Sequence, residues 1–219
     1  METKEPKWRK ILQVTSNAVM VNALFLLCCI PVVTIGQAWC GLYSAIRYAI
    51  RGDGWFSGFK AGFKTRFLRG TIAWTVCLLV IAYMTINMLA IIGENIVMVV
   101  VHALFLLFVM MICGAQIPVN VYVPSSVSQW LKNAVNLVTY APLQTAAVAV
   151  IMWLPVALVI LFLKYGLFDP FFFIMVFLML YFSVGTLIAT ILLKDPLIRV
   201  RDETVKLQEE QENKDTDDE

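Results

Sequence analysis

Charge is scarce in this chain and histidine almost absent: Asp, Glu, Lys and Arg make up 15% of 219 residues, and the single histidine is His102. A soluble domain holds about a quarter of its residues as charge. The deficit, with 60% hydrophobic residues and a mean hydropathy of +0.80, places the chain in a membrane. Acids are missing from the apolar runs altogether, since Glu94 and Asp169 fall at turns and Asp53 in a polar segment. A paired-carboxylate hydrolase, a carrier driven through a membrane acid and a histidine metal site therefore lack their parts. Cys28, Cys29, Cys40, Cys77 and Cys113 are an odd set with neither disulfide nor metal-ligand spacing, and they read as small core residues. From these absences we expect no catalytic residue, no cofactor and no metal.

The charge that is present is segregated. The last eighteen residues, Asp202 to Glu219, hold nine of the 15 acids and two of the 17 bases, so a basic body ends in an acidic tail. Such a body is drawn to anionic headgroups by about 1 kcal/mol per basic residue near the surface. With no soluble basic domain, it gives no case for nucleic acid. The tail sequence over 202–219 has almost no apolar surface to bury, and we expect it to be disordered in the cytoplasm.

Six apolar runs, 11–30, 32–50, 70–92, 96–121, 143–163 and 170–193, predict six membrane-embedded segments. The fold class expected is all-α, a polytopic transmembrane helical bundle forming one domain over 1–201. The first run follows Lys4, Lys7, Arg9 and Lys10, is too long for a signal-peptide core and is followed by no small-x-small cleavage site, so it is expected to remain as the first crossing. Pro31 ends it, and Val32 to Gly36 is too short and apolar for a solvated loop. Gly41, Ala45 and Ala49 then share a face on which two helices can approach closely. If 32–50 crosses, every basic cluster falls on one side and both termini are cytoplasmic. A re-entrant hairpin satisfies the charges equally well, and both arrangements stay open.

Two amphipathic helices are expected at the inner surface. Trp55, Phe56, Phe59, Phe63 and Phe67 recur at helical spacing with Lys60, Lys64, Arg66 and Arg69 between them, which predicts an interfacial helix over 55–69 with aromatics at headgroup depth. After Pro124-Ser125-Ser126, a second helix over 127–140 is predicted with Val127, Trp130, Leu131, Ala134 and Val138 on its apolar face. Its Gln129, Asn133 and Asn136 edge is expected to be free for a partner. Gly93, Glu94 and Asn95 are read as an outer turn between spans, Lys164 to Asp169 as a second, and Pro155 as a kink.

Inside the spans the polar residues are Asn17, Asn22, Asn87, His102, Gln116 and Asn120. Hydrogen bonding between helices is the expected role of each. A substrate contact at Asn17 or Asn22, or a proton relay at His102, is the alternative.

Asn22-Ala-Leu-Phe-Leu-Leu, Pro31-Val-Val-Thr34-Ile-Gly36, Gly41-Leu-Tyr43, Arg51-Gly52, Phe59-Lys60 and Phe63-Lys64 together resemble the YesL family of small bacterial integral membrane proteins, specifically over residues 10–70. After Thr34-Ile-Gly36, where a small or proline-containing sequence is expected, this chain has Gln37-Ala-Trp39. The resemblance implies a multi-pass protein of the bacterial cell membrane. It also implies association with carbohydrate uptake and polysaccharide use, with components of a sugar ABC transporter as partners beside the lipid bilayer. The expected function is a non-enzymatic accessory protein. A permease subunit in its own right and a membrane enzyme are the alternatives, and the oligomeric state is left open.

Overall fold

The computed structural model describes residues 7–91, 96–123, 125–165 and 170–217. The predicted outer turn Gly93–Asn95, most of the second outer turn, Pro124 and the basic Lys4 lie outside them. Every regular element among the described residues is helical, in the order α1 (Lys7–Cys29), a short 3-10 turn (Val32–Thr34), α2 (Ile35–Arg51), α3 (Trp55–Lys64), α4 (Phe67–Ile91), α5 (Ile96–Tyr122), α6 (Val127–Tyr140), α7 (Pro142–Tyr165), α8 (Pro170–Leu192) and α9 (Lys194–Asp217).

Two helices are long and apolar enough to cross a bilayer, Phe67–Met88 within α4 and Ile96–Tyr122, which is α5. Two more candidates arise only if bent pairs are taken together. These are Gln129–Tyr140 with Pro142–Pro155, bent by 108°, and Tyr181–Leu192 with Lys194–Glu210, bent by 59°. The described residues thus carry two to four candidate spans where the sequence predicts six embedded segments. They mark a membrane protein all the same.

Proline and glycine explain the breaks. Pro31 precedes the 3-10 turn with extended backbone, and the Thr34 hydroxyl donates back to Cys28 O at 2.6 Å and Pro31 O at 2.8 Å, so the α1 to α2 corner is closed on itself. Gly52, at φ 84°, caps α2 in the left-handed region, and α3 returns antiparallel along α2. Their approach is set by glycine. A Cβ on Gly58 would lie 2.7 Å from Tyr48 Cβ, and one on Gly62 would clash with Ser44 Cβ and lie 2.5 Å from Cys40 O. Phe59 fills the space over Gly41 and is buried.

This corrects the interfacial helix in two ways. It ends at Lys64, with Arg66 at φ 49° breaking the path so that Phe67 and Arg69 open α4. Its inner face is Gly58, Phe59 and Gly62 against α2, leaving Phe56, Lys60 and Lys64 exposed, Trp55 and Phe63 half-buried. Aromatics drew the sequence reading toward the lipid surface, whereas the glycines between them decide the packing.

The second surface helix is rotated as well. Trp130, Asn133, Ala134, Leu137 and Val138 are buried, and Leu131 is exposed. That set has spacing i, i+3, i+4, i+7, i+8, the full apolar stripe of a packed helix. Pro155 sits inside α7 and Pro118 inside α5, each within a continuous helix. Beyond Leu193 the chain turns into the last helix. α9 continues to Asp217, seated by Leu197, Val200 and Thr204, all buried.

Candidate functional site

The break after Pro31 leads directly into a tightly packed point, where α2 starts against the first turns of α4 and the last turns of α5. Gly36 is the hinge of this contact. A Cβ there would lie 2.5 Å from Trp74 Cβ and 3.3 Å from Gly70 O, so no other residue fits without moving α4. One residue on, Gln37 is fully buried and its Nε2 donates to Phe67 O at 2.7 Å and Arg66 O at 3.0 Å. The glutamine after Gly36 is therefore the clasp between the α1–α2 corner and the α3–α4 junction.

Amides and thiols line the same region. Asn120 Nδ2 lies 3.6 Å from Cys40 Sγ, and Gln116 Nε2 lies 3.4 Å from Cys77 Sγ and 3.7 Å from Cys113 Sγ. Gln116 O accepts from Trp130 Nε1 at 3.3 Å, tying α6 to α5. Gly36, Cys40, Gly70, Trp74, Gln116, Ile117, Asn120 and Trp130 line a void of about 10 Å³. That is room for one water at most. Asn120 Oδ1 and Trp74 Nε1, an acceptor and a donor, are both buried and unpartnered there, as is Gln37 Oε1 close by.

Two arginines close the site from the basic end. Arg66 Nη1 donates to Val123 O at 3.4 Å, while Arg69 donates to Ser125 O at 3.0 Å and Ser125 Oγ at 3.3 Å with its guanidinium 4.8 Å above the Trp130 ring. Both join the α3–α4 junction to the α5–α6 junction instead of reaching freely for lipid. Arg47 lies 5.2 Å over the ring of Tyr122, whose hydroxyl donates to Tyr43 O at 3.4 Å.

The remaining predicted residues are scattered. Asn22 is buried on α1, and Ser183 Oγ on α8 lies 2.6 Å from its Oδ1, a contact between helices. Asn87 and His102 bond within their own helices instead, Asn87 Nδ2 to Tyr83 O at 2.8 Å and His102 Nδ1 within 2.9 Å of Met98 O. The predicted partner edge of α6 is mostly occupied. Gln129 forms a capping box with Ser126, Asn133 is buried, and Gln129 and Asn136 are both half-buried. Among the described residues no cluster of three or more His, Cys, Asp or Glu comes together that could hold a metal ion. The arrangement offers hydrogen bonds and close packing.

Sequence reasoning missed Gly70 and Trp74, and it noted Gln37 only as a departure. The carbonyls that Gln37 holds lie 29 and 30 residues away, beyond any helical period. No curated protein and no solved structure matches the chain. Over residues 18–88, the stretch that holds the corner, Gln37 and the start of α4, the chain is similar to the family described as protein of unknown function, DUF624.

Proposed function

We propose that this is a non-enzymatic accessory protein of the bacterial cell membrane, of the YesL kind, serving carbohydrate uptake through contact with a sugar transporter. In this reading α4, α5, α7 and α8 cross the bilayer, α1 and α2 are embedded in it, and both termini are cytoplasmic. The observation that carries it is the packing of the centre: the helices converge on amides, thiols and glycines around a void of about 10 Å³, too small for a sugar. The orientation is supported by the basic residues, since Arg47, Arg66 and Arg69 all make contacts at the C-terminal end of α5 and the loop after it.

The partner surface this reading favours is α9. Past Thr204 it rises from the body with Lys206, Leu207, Glu209 and Glu210 exposed, and its acidic residues suit a basic partner. Purification of the tagged full chain in mild detergent is expected to bring transporter components with it, and less of them once residues 208–219 are removed. Sugar flux in vesicles holding this protein alone would overturn the accessory role in favour of a permease.

A further inference from the structure

We infer that α1 and α2 form a re-entrant hairpin that enters the cytoplasmic leaflet, turns at Pro31–Thr34 near mid-bilayer and leaves on the same side, with the acyl chains of that leaflet as the partner of its tip. The juxtaposition that carries this is the seating of Gly36 on Gly70 and Trp74, the first two turns of the 25-residue α4. From Trp74 the helix runs on for 17 residues to Ile91, which is about 25 Å at helical rise. If α4 crosses, the α2 start cannot lie at the far surface, because α4 has most of its length still to travel from that point. α5 gives the same answer from its other end: Cys40 meets Asn120 and Tyr43 meets Tyr122, on the last two turns of 27 residues. A full crossing by 32–50 is therefore incompatible with a crossing by α4 and α5.

The chemistry of the tip fits the same depth. Ile30 is 75% exposed, Leu27 62%, Val32 61% and Val33 50%, a branched apolar cluster that water would strongly disfavour. It continues the exposed stripe of Ile72, Val76 and Leu79 on the adjoining part of α4, and nothing charged interrupts the two. The only hydroxyl at the corner, Thr34, is satisfied by backbone carbonyls of the corner itself, as non-aqueous surroundings demand. At the other end of α2, Arg47 and Arg51 remain with the basic surface.

The inference rests on the membrane location proposed above but not on the accessory role. In the full chain, reconstituted in phosphatidylglycerol and phosphatidylethanolamine vesicles with its five native cysteines replaced by alanine, spin labels are placed at positions 32, 79 and 56. The label at 32 is expected to match the one at 79, open to oxygen and shielded from a water-soluble nickel chelate on either side. Chelate access from the side that reaches position 56 places the tip at the cytoplasmic surface, and access from the opposite side means a full crossing; either overturns the hairpin. Should the alanine background not fold, Val32→Asp and Val32→Ala are compared in the chain with native cysteines. The aspartate variant is expected to accumulate in the membrane fraction about tenfold less, and equal accumulation overturns the inference. A chain found in the soluble fraction without any substitution would instead remove the membrane reading itself.

Discussion

Gln37 shows how one side chain can tie two breaks in the chain together. Its amide is fully buried and gives two bonds, to the Arg66 and Phe67 carbonyls, at a corner that has to stay seated on the start of α4, and losing both removes that polar attachment. Gln37→Leu keeps the volume and removes the donors. A lower thermal midpoint in detergent, corresponding to a loss of about 1–3 kcal/mol, is expected; an unchanged midpoint would mean that packing alone seats the corner. Gly36→Ala tests the steric half of the contact and is expected to cost about 1–3 kcal/mol by overpacking against Trp74. The motif Pro31 to Gly36 was legible as a corner from proline and glycine chemistry. What the corner leans on was not, because the sequence marks neither Gly70 nor Trp74 as different from other small and aromatic residues of a span.

The amphipathic elements teach a narrower lesson, that burial follows geometry more closely than hydropathy. On α3 the helix-facing residues are glycines, and on α6 Asn133 is inside while Leu131 is outside. Gly62→Ala is expected to destabilise by about 1–3 kcal/mol, through its clash with Ser44, whereas Ala61→Ser one residue away on the exposed side should stay within about 0.5 kcal/mol. Equal midpoints for the two variants, read by thermal melting in detergent, would remove the close α2–α3 packing. For α9, the seat is Leu197, Val200 and Thr204, from which the helix extends through strong helix formers. A chain ending at Leu207 is expected to keep the full-length midpoint, and one ending at Lys194 to lose stability measurably.

At the scale of the molecule, the membrane class was readable from composition because hydrocarbon sorts residues coarsely, by run length, and the sign of charge supplies the proposed orientation. The number of crossings was not readable, since a hairpin that stops halfway has the same hydropathy as one that goes through. An impermeant thiol reagent applied to intact cells is expected to leave a cysteine introduced at position 210 unreacted; rapid labelling would reverse the orientation.

The bond between Ser183 and Asn22 joins residues 161 positions apart, the last apolar helix closing on the first. At a synthesis rate of roughly 5 to 20 residues per second, α1 leaves the ribosome some 10 to 30 s before this hydroxyl is made. Through that interval the amide-bearing face of α1 lacks the helix that finally covers it. The seat of α1 against α8 is therefore completed late, after every other apolar helix has been made.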